Sequence, residues 1–412
     1  MVDVLVAGIG MTRFGRLPEH DIKSLTRWAV DDALKDGGAH VGDIEAAFFA
    51  NATQGHMDGQ HMIRGQVALR AMGLGGVPVV NVENACASAA TAFNLAVNYL
   101  KAGEGDIVLA VGVEKMVSPD KTRMVAAFDS AWDIGEVEAN RAAIDGLGRD
   151  VVPPPGSRSD TPYSIFMDVY AAFARDHMSR YGTTQRQIAA AASKNHGHSV
   201  HNPRAQFRHA MSIEEVLAAP PITYPLTRPM CSPISDGAAA ALLVTPAGLK
   251  RLDGGGGRAV RVLASVLRTG TDRSPDEPGL HCTVQAGRRA YESAGLGPGD
   301  VSVAEVHDAT AVGEIIQIEN LGLVPPGDGG PASERGDTRL GGRIPVNPSG
   351  GLESKGHPIG ATGLGQVFEL VTQLRGEAGA RQVDGARVAI AENGGGVIGI
   401  EEAVASVILL GR

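Results

Sequence analysis

The 412-residue sequence has few cysteines, few aromatic residues and no long hydrophobic segment. It contains no stretch of about 18 uninterrupted apolar residues, which a membrane-spanning helix requires. The N-terminus also lacks a charged segment followed by an apolar one and a small-residue cleavage site, the signature of a secretory signal. We therefore expect a protein that neither spans a membrane nor is secreted, with no membrane among its partners.

The three cysteines, Cys86, Cys231 and Cys282, are far apart and form no Cys-x-x-Cys pair. Three cysteines cannot all pair with one another, and free thiols are typical of a reducing compartment. We therefore predict a cytoplasmic protein with at least one thiol available for chemistry. Cys231 and Cys282 are interpreted as structural, and no metal site is expected because further ligands at suitable spacing are missing.

The charge balance is mildly acidic, since 37 Lys and Arg against 46 Asp and Glu give a net charge of −9. No basic run is long enough to hold nucleic acid, so nucleic acid is not an expected partner. Glycine is abundant, with 55 residues, whereas aromatic residues make up only 4% of the chain. This composition indicates closely packed small side chains and many turns, where exposed backbone amides can take part in chemistry.

Hydrophobic periodicity predicts alternating strands and helices, the pattern of an α/β protein. The predicted strands are Val2–Ile9, Glu45–Ala50, Val77–Val82, Asp106–Val113, the GAAAALLV segment, Val301–Val306 and Ala386–Ala391. The predicted helices are Leu25–Leu34, Gly65–Met72, a helix after Cys86, Ile165–Tyr181, Thr184–Gly197, Val284–Ala294, Ala311–Leu321 and Ala361–Leu374. The region from Lys115 to about Asn202 is interpreted as an inserted layer over the site, and DGGGGR at 253–258 as a flexible connection between halves.

Cys86 lies in the segment NVENACASAATAF, directly after a predicted strand and at the start of a predicted helix. A thiol at a helix N-terminus is stabilised as thiolate by the positive end of the helix dipole. A histidine within hydrogen-bond reach can take the thiol proton, so we expect the thiolate to become accessible near neutral pH and to attack a thioester carbonyl. Considered alone, a cysteine before an alanine-rich helix is more often a buried apolar residue.

Three further polar or glycine-rich segments follow predicted strands or tight loops. They are His307-Asp308, the run NPSGGLESKGHPIGATG with His357, and ENGGGVIG around Asn393. Strand ends that point the same way converge in space, so these segments are expected to meet Cys86. Singly, each has a simpler explanation: Asp308 as a helix N-cap, Gly-His-Pro as a turn, and the glycine triplet as a turn between strands.

Two other segments are given structural interpretations. The glycine spacing of GIGMTRFG, near the N-terminus, departs from the dinucleotide-binding fingerprint, which argues against a nicotinamide or flavin site. His196, His198 and His201 cluster near the end of the inserted layer and could contact the phosphate groups of a ligand. At this spacing a solvated helix end is favoured over a phosphate site.

The four segments together, in this order, resemble the thiolase superfamily over nearly the whole chain. The matching motifs are NACASAATAF, PISDGAAAALLV, EVHDATAVGEI and NPSGGLESKGHPIGATG, of which the last is highly specific. His307-Asp308 stands where biosynthetic thiolases carry Asn-Glu. The sequence therefore looks closest to the sterol-carrier-protein-type and archaeal thiolases, which are acetyl-CoA acetyltransferase-like.

The resemblance implies a five-layered αβαβα fold of two related halves, residues 1–252 and 258–412. An inserted region at about 115–225 would hold coenzyme A, which is a substrate and not a tightly bound cofactor. Ser349 and Gly350 are further candidates for coenzyme A contact. Family members are usually homodimers or homotetramers.

The resemblance also implies a role for each site residue. Cys86 matches the acylated nucleophile, His357 the histidine that activates it, and His307 a residue of the oxyanion hole over the enolate. The loop that donates a backbone amide to the acyl-enzyme oxyanion matches Asn393, Gly394, Gly395 and Gly396.

Two departures from the family pattern concern the base that removes a proton next to the carbonyl. Many thiolases carry a second cysteine in the C-terminal glycine loop, which here reads ENGGG. Sterol-carrier-protein-type enzymes often carry one after His-Asp, where this chain has Ala309. His307 could act instead, or Glu392 if its carboxylate faces the pocket with a raised pKa. Alternatively, Glu392 faces solvent or pairs with an arginine.

Three functions are compatible with these motifs. The leading one is a thiolase-type acyltransferase that forms a thioester on Cys86 and catalyses thiolysis of 3-ketoacyl-CoA or the reverse Claisen condensation. The second is an acyltransferase or carbon–carbon lyase acting on a larger acyl-CoA, of steroid or polyketide type, with a small acyl-CoA-binding partner protein. The third is a non-catalytic homologue that binds acyl-CoA or lipid.

Overall fold

The computed structural model describes residues 2–254 and 257–412, so the predicted connection at 253–258 lies partly outside the described residues. The strands are β1 (Leu5–Met11), β2 (Ala46–Ala50), β3 (Val79–Val82), β4 (Ile107–Glu114), β5 (Pro221–Thr223), β6 (Leu226–Thr227), β7 (Gly237–Val244), β8 (Val260–Thr269), β9 (Val303–Glu305), β10 (Val388–Ile398) and β11 (Glu401–Gly411).

The α-helices alternate with these strands and also fill the region between β4 and β5. They are α1 (Ile22–Gly37), α2 (Gln54–Asp58), α3 (Arg64–Arg70), α4 (Ser88–Lys101), α5 (Lys121–Ala126), α6 (Val137–Asp145), α7 (Ile165–Tyr181), α8 (Gln185–Ser199), α9 (Ile213–Ala218), α10 (Pro246–Leu249), α11 (Cys282–Ala294), α12 (Ala311–Asn320), α13 (Gly329–Arg335) and α14 (Thr362–Arg375). Each described helix is too short or too polar to cross a membrane.

The same strand pairing occurs twice along the chain. In the first half β1 and β4 each pair antiparallel with β7, and β2 pairs parallel with β4. In the second half β8 and β10 each pair antiparallel with β11, and β9 pairs parallel with β10. A short antiparallel contact between β1 and β8 joins the two sets. The predicted α/β fold of two related halves is confirmed, whereas the boundaries at 252 and 258 stay predictions.

The apolar core has three main clusters that define the layers. The central cluster joins α4 and α14 to residues of both strand sets. The second lies between α1 and the first strand set, and the third between α11, α12 and the second set. Because helices cover both faces of each set, the strands are buried on both sides, and all eight residues of β7 are buried.

Small side chains make this close layering possible. The alanines of α4, such as Ala89, Ala92 and Ala96, are fully buried between the two halves, with Phe93 as the large side chain of that face. The predicted helix over Ile165–Tyr181 has the same limits in the structure. Strands β8 and β11 were not predicted. The predicted turn at Gly394–Gly396 is wrong, because these glycines lie inside strand β10.

Candidate active site

A cavity of about 1470 Å³ lies beside the junction of the two halves. Cys86, His307, His357 and Gly395 line one part of it. The inserted region lines another part with large apolar side chains, namely Met124, Phe128, Trp132, Phe166 and Met167. The structure therefore brings all four predicted segments to one cavity, under a cover supplied by the inserted region.

Cys86 lies in a short 3-10 turn, Ala85–Ala87, that leads directly into α4. Ala85 has a φ of 47°, a left-handed conformation that is unfavourable for a residue with a side chain. Hydrogen bonds from Ala85 N to Glu83 Oε1 (2.6 Å) and from Ser88 Oγ to Ala85 O (2.6 Å) hold this turn. The local hydrogen bonds thus present the thiol at the cavity wall in a fixed position.

The Cys86 thiol is protonated in the free protein. Burial, with smaller contributions from the negative charges of Glu114 and Glu83, raises the pKa of Cys86 to about 12. Desolvation outweighs the effect of the helix N-terminus, so the thiolate that was predicted to be accessible near neutral pH is not the resting form. A base must take the proton during the reaction.

His357 is placed to be that base. Its Nδ1 lies 2.7 Å from Thr362 Oγ1, and the single Thr362 hydroxyl proton is donated to Pro358 O at 3.0 Å. Thr362 Oγ1 must therefore accept a proton from Nδ1, which leaves Nε2 of His357 unprotonated. Burial and the neighbouring His307 hold the pKa of His357 well below its usual range, so the ring is neutral and able to accept a proton.

His307 has the opposite tautomer. Asn393 Nδ2 lies 3.0 Å from His307 Nδ1, and because an amide nitrogen can only donate, the ring proton is on Nε2. Burial lowers the pKa of His307 to about 4, so the ring stays neutral. Cys86 Sγ and one ring nitrogen each of His307 and His357 all lie within 4.8 Å of one another. A proton acceptor and a proton donor thus flank the thiol.

Glu392 does not line this cavity. It is fully buried, and its Oε2 accepts a hydrogen bond from His307 N at 3.0 Å. Burial raises the pKa of Glu392 well above its usual range. Of the alternatives considered from sequence, Glu392 has the raised pKa but does not line the cavity, and it is neither turned to solvent nor paired with an arginine among the described residues. Its carboxylate holds the backbone of His307.

Strand β10 passes very close to the Cys86 turn at Gly395. A Cβ atom on Gly395 would lie 2.4 Å from Asn84 O and 2.7 Å from Ala87 N, so only glycine fits there. The Cys86 N–H has no hydrogen-bond acceptor in the described part of the chain. A backbone N–H that has no acceptor can donate a hydrogen bond to an oxyanion, and the close approach of β10 at Gly395 holds this part of the backbone in place.

The PISDG motif anchors the His357 loop. Ser235 Oγ accepts a hydrogen bond from His357 N at 3.0 Å, and Ile234 forms a parallel bridge with His357. From the other side, the buried carboxylate of Glu114, at the end of β4, accepts from Gly360 N at 3.0 Å. Sequence reasoning missed Glu114, because its role depends on a contact between the two halves.

A buried group of charged and amide side chains lies behind His307. The Asn195 amide donates to Asp308, Glu314 and Glu353 at 2.9–3.1 Å, and Lys194 Nζ lies 2.8 Å from Glu314. Burial and the neighbouring carboxylates raise the pKa values of Asp308 and Glu353 well above their usual range. This network joins the His307 segment to the loop before His357.

Ser349 and Gly350 do not take the position expected for coenzyme A contacts. Ser349 is fully buried and donates to Glu305 Oε2 at 2.7 Å, and neither residue lines the cavity. The predicted solvated helix end at His196 and His198 is also wrong. Both rings are buried, and they bond to Pro229 O and Asn347 O at 3.0 Å.

Within residues 2–254 and 257–412, two groups of side chains have ligand atoms close enough to share a metal ion. One is the Cys86, His307 and His357 group, and the other is His281, Cys282 and Glu401. In the second group Glu401 already accepts from Cys282 N at 2.7 Å and Arg273 at 3.3 Å, so protein donors satisfy it. Cys282 is buried as predicted, whereas Cys231 lines the main cavity, which sequence reasoning missed.

Family comparison identifies the class of protein. The model of the thiolase N-terminal domain matches residues 4–216, and that of the thiolase C-terminal domain-like family matches residues 269–410. The chain therefore belongs to the thiolase family and is an enzyme of the thiolase or acetyl-CoA C-acyltransferase type.

Individual relatives agree with this assignment. The acetyl-CoA acetyltransferase of Methanothermobacter thermautotrophicus is 40% identical over 97% of this chain and 98% of the relative. Sterol carrier protein 2 of Bos taurus is 37% identical over 96% of this chain and 71% of its own length. The predicted resemblance to archaeal and sterol-carrier-protein-type thiolases is confirmed.

Solved structures show the same fold. The Ltp2-ChsH2(DUF35) aldolase aligns over 100% of this chain and 98% of its own with a TM-score of 0.77 and 21% identity. The Acat5 thiolase of Ascaris suum in complex with coenzyme A aligns over 100% of both chains with a TM-score of 0.69 and 18% identity.

Proposed function

We propose that the enzyme forms an acyl thioester on Cys86 and catalyses thiolysis of 3-ketoacyl-CoA or the reverse Claisen condensation. The observation that supports this most is the grouping of the Cys86 thiol, an unprotonated nitrogen of His357 and a protonated nitrogen of His307 at one cavity. The protonated Cys86 thiol needs an unprotonated base beside it, and His357 is such a base because its pKa is lowered.

In the first step His357 Nε2 takes the Cys86 proton while the sulfur attacks the acyl carbonyl. The carbonyl oxygen becomes negative and would be stabilised by the Cys86 N–H and by the backbone near Gly395. When the acyl donor is an acyl-CoA, His357 then gives this proton to the departing coenzyme A thiolate. In thiolysis of a 3-ketoacyl-CoA the departing group is an enolate, whose oxygen would accept a hydrogen bond from His307 Nε2, and His357 keeps its proton until the Cys86 thiolate is released.

Coenzyme A is the proposed carrier of the acyl group, held by the inserted region. A second cavity of about 500 Å³ shares Trp132 with the first. It is lined by four arginines against two aspartates, Arg141, Arg149, Arg158, Arg175, Asp145 and Asp168. Guanidinium groups bind phosphate well, so this pocket is a candidate site for the phosphates of coenzyme A.

We also propose a homodimer or homotetramer in the cytoplasm. Strand β3 is the edge of its sheet, and Val80 on it is 42% exposed. Met62 and Ile63, which are 77% and 59% exposed, directly precede α3, whose Gly65 N donates to Asn81 of β3. An exposed apolar edge strand favours pairing with a second copy. The free thiols of all three cysteines are compatible with a reducing compartment.

The size of the cavity favours a second candidate, a carbon–carbon lyase or acyltransferase for a large acyl-CoA. Ligand pockets typically measure about 300–1,000 Å³, whereas this cavity measures about 1470 Å³ with an apolar lining from the inserted region. One structural neighbour is an aldolase whose name pairs two proteins. Efficient turnover of acetoacetyl-CoA by the isolated chain would argue against this candidate and against a required partner protein.

Acylation of Cys86 is the decisive experiment. The wild-type protein, incubated with acetyl-CoA and with a long-chain 3-ketoacyl-CoA, should gain one acyl mass on the peptide that contains Cys86. Cys282→Ala is the matched control, since Cys282 is buried away from the cavity, and it should acylate like the wild type, whereas Cys86→Ala should not. A folded wild-type protein that gains no mass with either substrate would disprove the proposal.

A further inference from the structure

The proposed chemistry lacks one group, and this inference rests on that proposed function. When the bond between C2 and C3 of the substrate breaks, the C2 carbanion must receive a proton, and condensation needs the reverse transfer. The two regions in which the family resemblance places a second cysteine hold Ala309 and the run ENGGG here, and neither contains a thiol. Glu392 is turned away from the cavity, and alanine transfers no proton.

We propose that Tyr170 is the second acid–base group of this enzyme. Tyr170 lies on α7 and lines the same cavity as Cys86, His307 and His357. Its residue surface is only 8% exposed, yet its hydroxyl is not enclosed and has no hydrogen-bond partner among the described residues. A largely buried phenol normally uses its O–H, so a free hydroxyl at a cavity wall is available to a ligand.

The ring of Tyr170 is held in a fixed position. Its edge approaches α12 at Gly313, in the first turn after the His307 segment, where an added Cβ would lie 3.7 Å from Cε1. Phe173 packs on it edge to face, with ring centroids 6.0 Å apart. Because α12 begins just after His307, the same helix end positions the two side chains.

The neighbouring carboxylate does not take up the Tyr170 hydroxyl. Glu402 also lines the cavity, and its Oε1 accepts a hydrogen bond from Gln317 Nε2 at 2.6 Å. Its Oε2 lies 3.3 Å from His281 Nε2 and has no hydrogen-bond partner among the described residues, so neither oxygen is bonded to the Tyr170 hydroxyl. The remaining cavity thiol, Cys231, directs its Sγ to Thr227 O at 3.6 Å and lies outside the group around Cys86. Tyr170 is therefore the better placed donor.

In thiolysis, the Tyr170 O–H bond breaks as a C–H bond forms at C2, and the product acyl-CoA leaves. The phenolate then takes the proton of the incoming coenzyme A thiol, whose sulfur attacks the acyl group on Cys86. Coenzyme A thereby replaces the proton that C2 received. His357 returns its own proton to the Cys86 thiolate that is released, so the proton balance closes.

The test separates the two steps with Tyr170→Phe, which keeps the ring and removes the hydroxyl. Acylation of Cys86 by acetyl-CoA should remain within threefold of wild type. Exchange of the acetyl-CoA methyl protons for deuterium in D₂O, and thiolysis of a 3-ketoacyl-CoA, should both fall at least about 100-fold. Tyr291→Phe is the control, because it removes a hydroxyl bonded to Leu321 O far from the cavity, and it should leave both rates unchanged.

The possible results are distinct. Failure of the wild-type protein to acylate would overturn the proposed function and this inference with it. Normal acylation with exchange and thiolysis within threefold in Tyr170→Phe would overturn the inference alone, as would a loss of both rates in Cys231→Ser but not in Tyr170→Phe. If Tyr170→Phe does not fold, 3-fluorotyrosine at position 170 serves instead: a changed exchange rate with normal acylation supports the role, and an unchanged rate contradicts it.

Discussion

At the level of single residues, the protonation of His357 depends on Thr362. Replacing Thr362 with Val keeps the shape of the side chain but removes the acceptor of the Nδ1 proton. The proton can then move to Nε2, which makes the ring unable to take the Cys86 proton. We expect the rate of Cys86 acylation to fall by about 10-fold to 100-fold. Thr362→Ser, which retains the hydroxyl, should restore it, and equal rates in Val and Ser variants would contradict this role.

The pH dependence of acylation follows from the lowered pKa of His357. A histidine whose pKa is lowered stays neutral at pH values below the ordinary 6.5, so its Nε2 remains a base there. Acylation should therefore persist as the pH falls from 8 to 6, and be lost only at lower pH, when the ring is protonated. Single-turnover acylation rates across this range test the point. A loss with its midpoint at or above pH 6.5 would show that His357 has an ordinary pKa.

The sequence predicted which side chains meet, but not their protonation. Cys86, His307 and His357 were identified from motifs, whereas the tautomers depend on Thr362 and Asn393 as hydrogen-bond partners in the folded protein. Burial likewise raises the pKa of the Cys86 thiol, an effect that the motif does not show. Such effects depend on tertiary environment, which local sequence does not report.

At the level of secondary-structure elements, the loop of His357 is held by the segment before β7. Ser235→Ala would leave the buried amide of His357 without an acceptor, a loss of about 1–3 kcal/mol. We expect a lower free energy of unfolding in urea together with slower acylation, since the imidazole is less well positioned. Ser293→Ala, on the exposed face of α11, should change stability by less than about 0.5 kcal/mol. Equal stability of the two variants would rule out this anchoring role.

Periodicity predicted most elements of this fold but failed in β10 and β11. The glycine triplet was interpreted as a turn, yet it continues β10, because the pairing with β11 outweighs the local preference of glycine. Strand alternation also explains the error at Glu392: neighbouring residues point to opposite faces, so Asn393 reaches His307 Nδ1 while Glu392 faces away from the cavity. The side of the sheet that each residue faces cannot be assigned from sequence when the strand itself is not recognised.

At the level of the whole molecule, Arg375 connects the two halves. Its guanidinium, at the end of α14, lies 2.7 Å from Asp36 of α1 and donates to Ala7 O of β1 and to Arg258 O. The Arg375 side chain is only 2% exposed. If the guanidinium were removed, water would therefore not readily take its place as a hydrogen-bond donor. Sequence reasoning placed the halves but could not find this contact, since it joins residues from opposite ends of the chain.

Replacing Arg375 with Met should therefore destabilise the molecule as a whole. The variant keeps apolar bulk but leaves the buried Ala7 O, the part-buried Arg258 O and part of the Asp36 charge without a donor, a cost of about 2–4 kcal/mol in the free energy of unfolding. Arg289→Met is the matched control, because Arg289 is 61% exposed and pairs only with Glu292 at 3.8 Å. Urea unfolding should show a lower midpoint for Arg375→Met alone.

Since Cys86 and His357 belong to different halves, acylation also reports whether the halves separate. Acylation should weaken at urea concentrations below the unfolding midpoint if the halves separate first, and at the midpoint if they unfold together. A change of less than about 1 kcal/mol would mean that the apolar core, not Arg375, joins the halves.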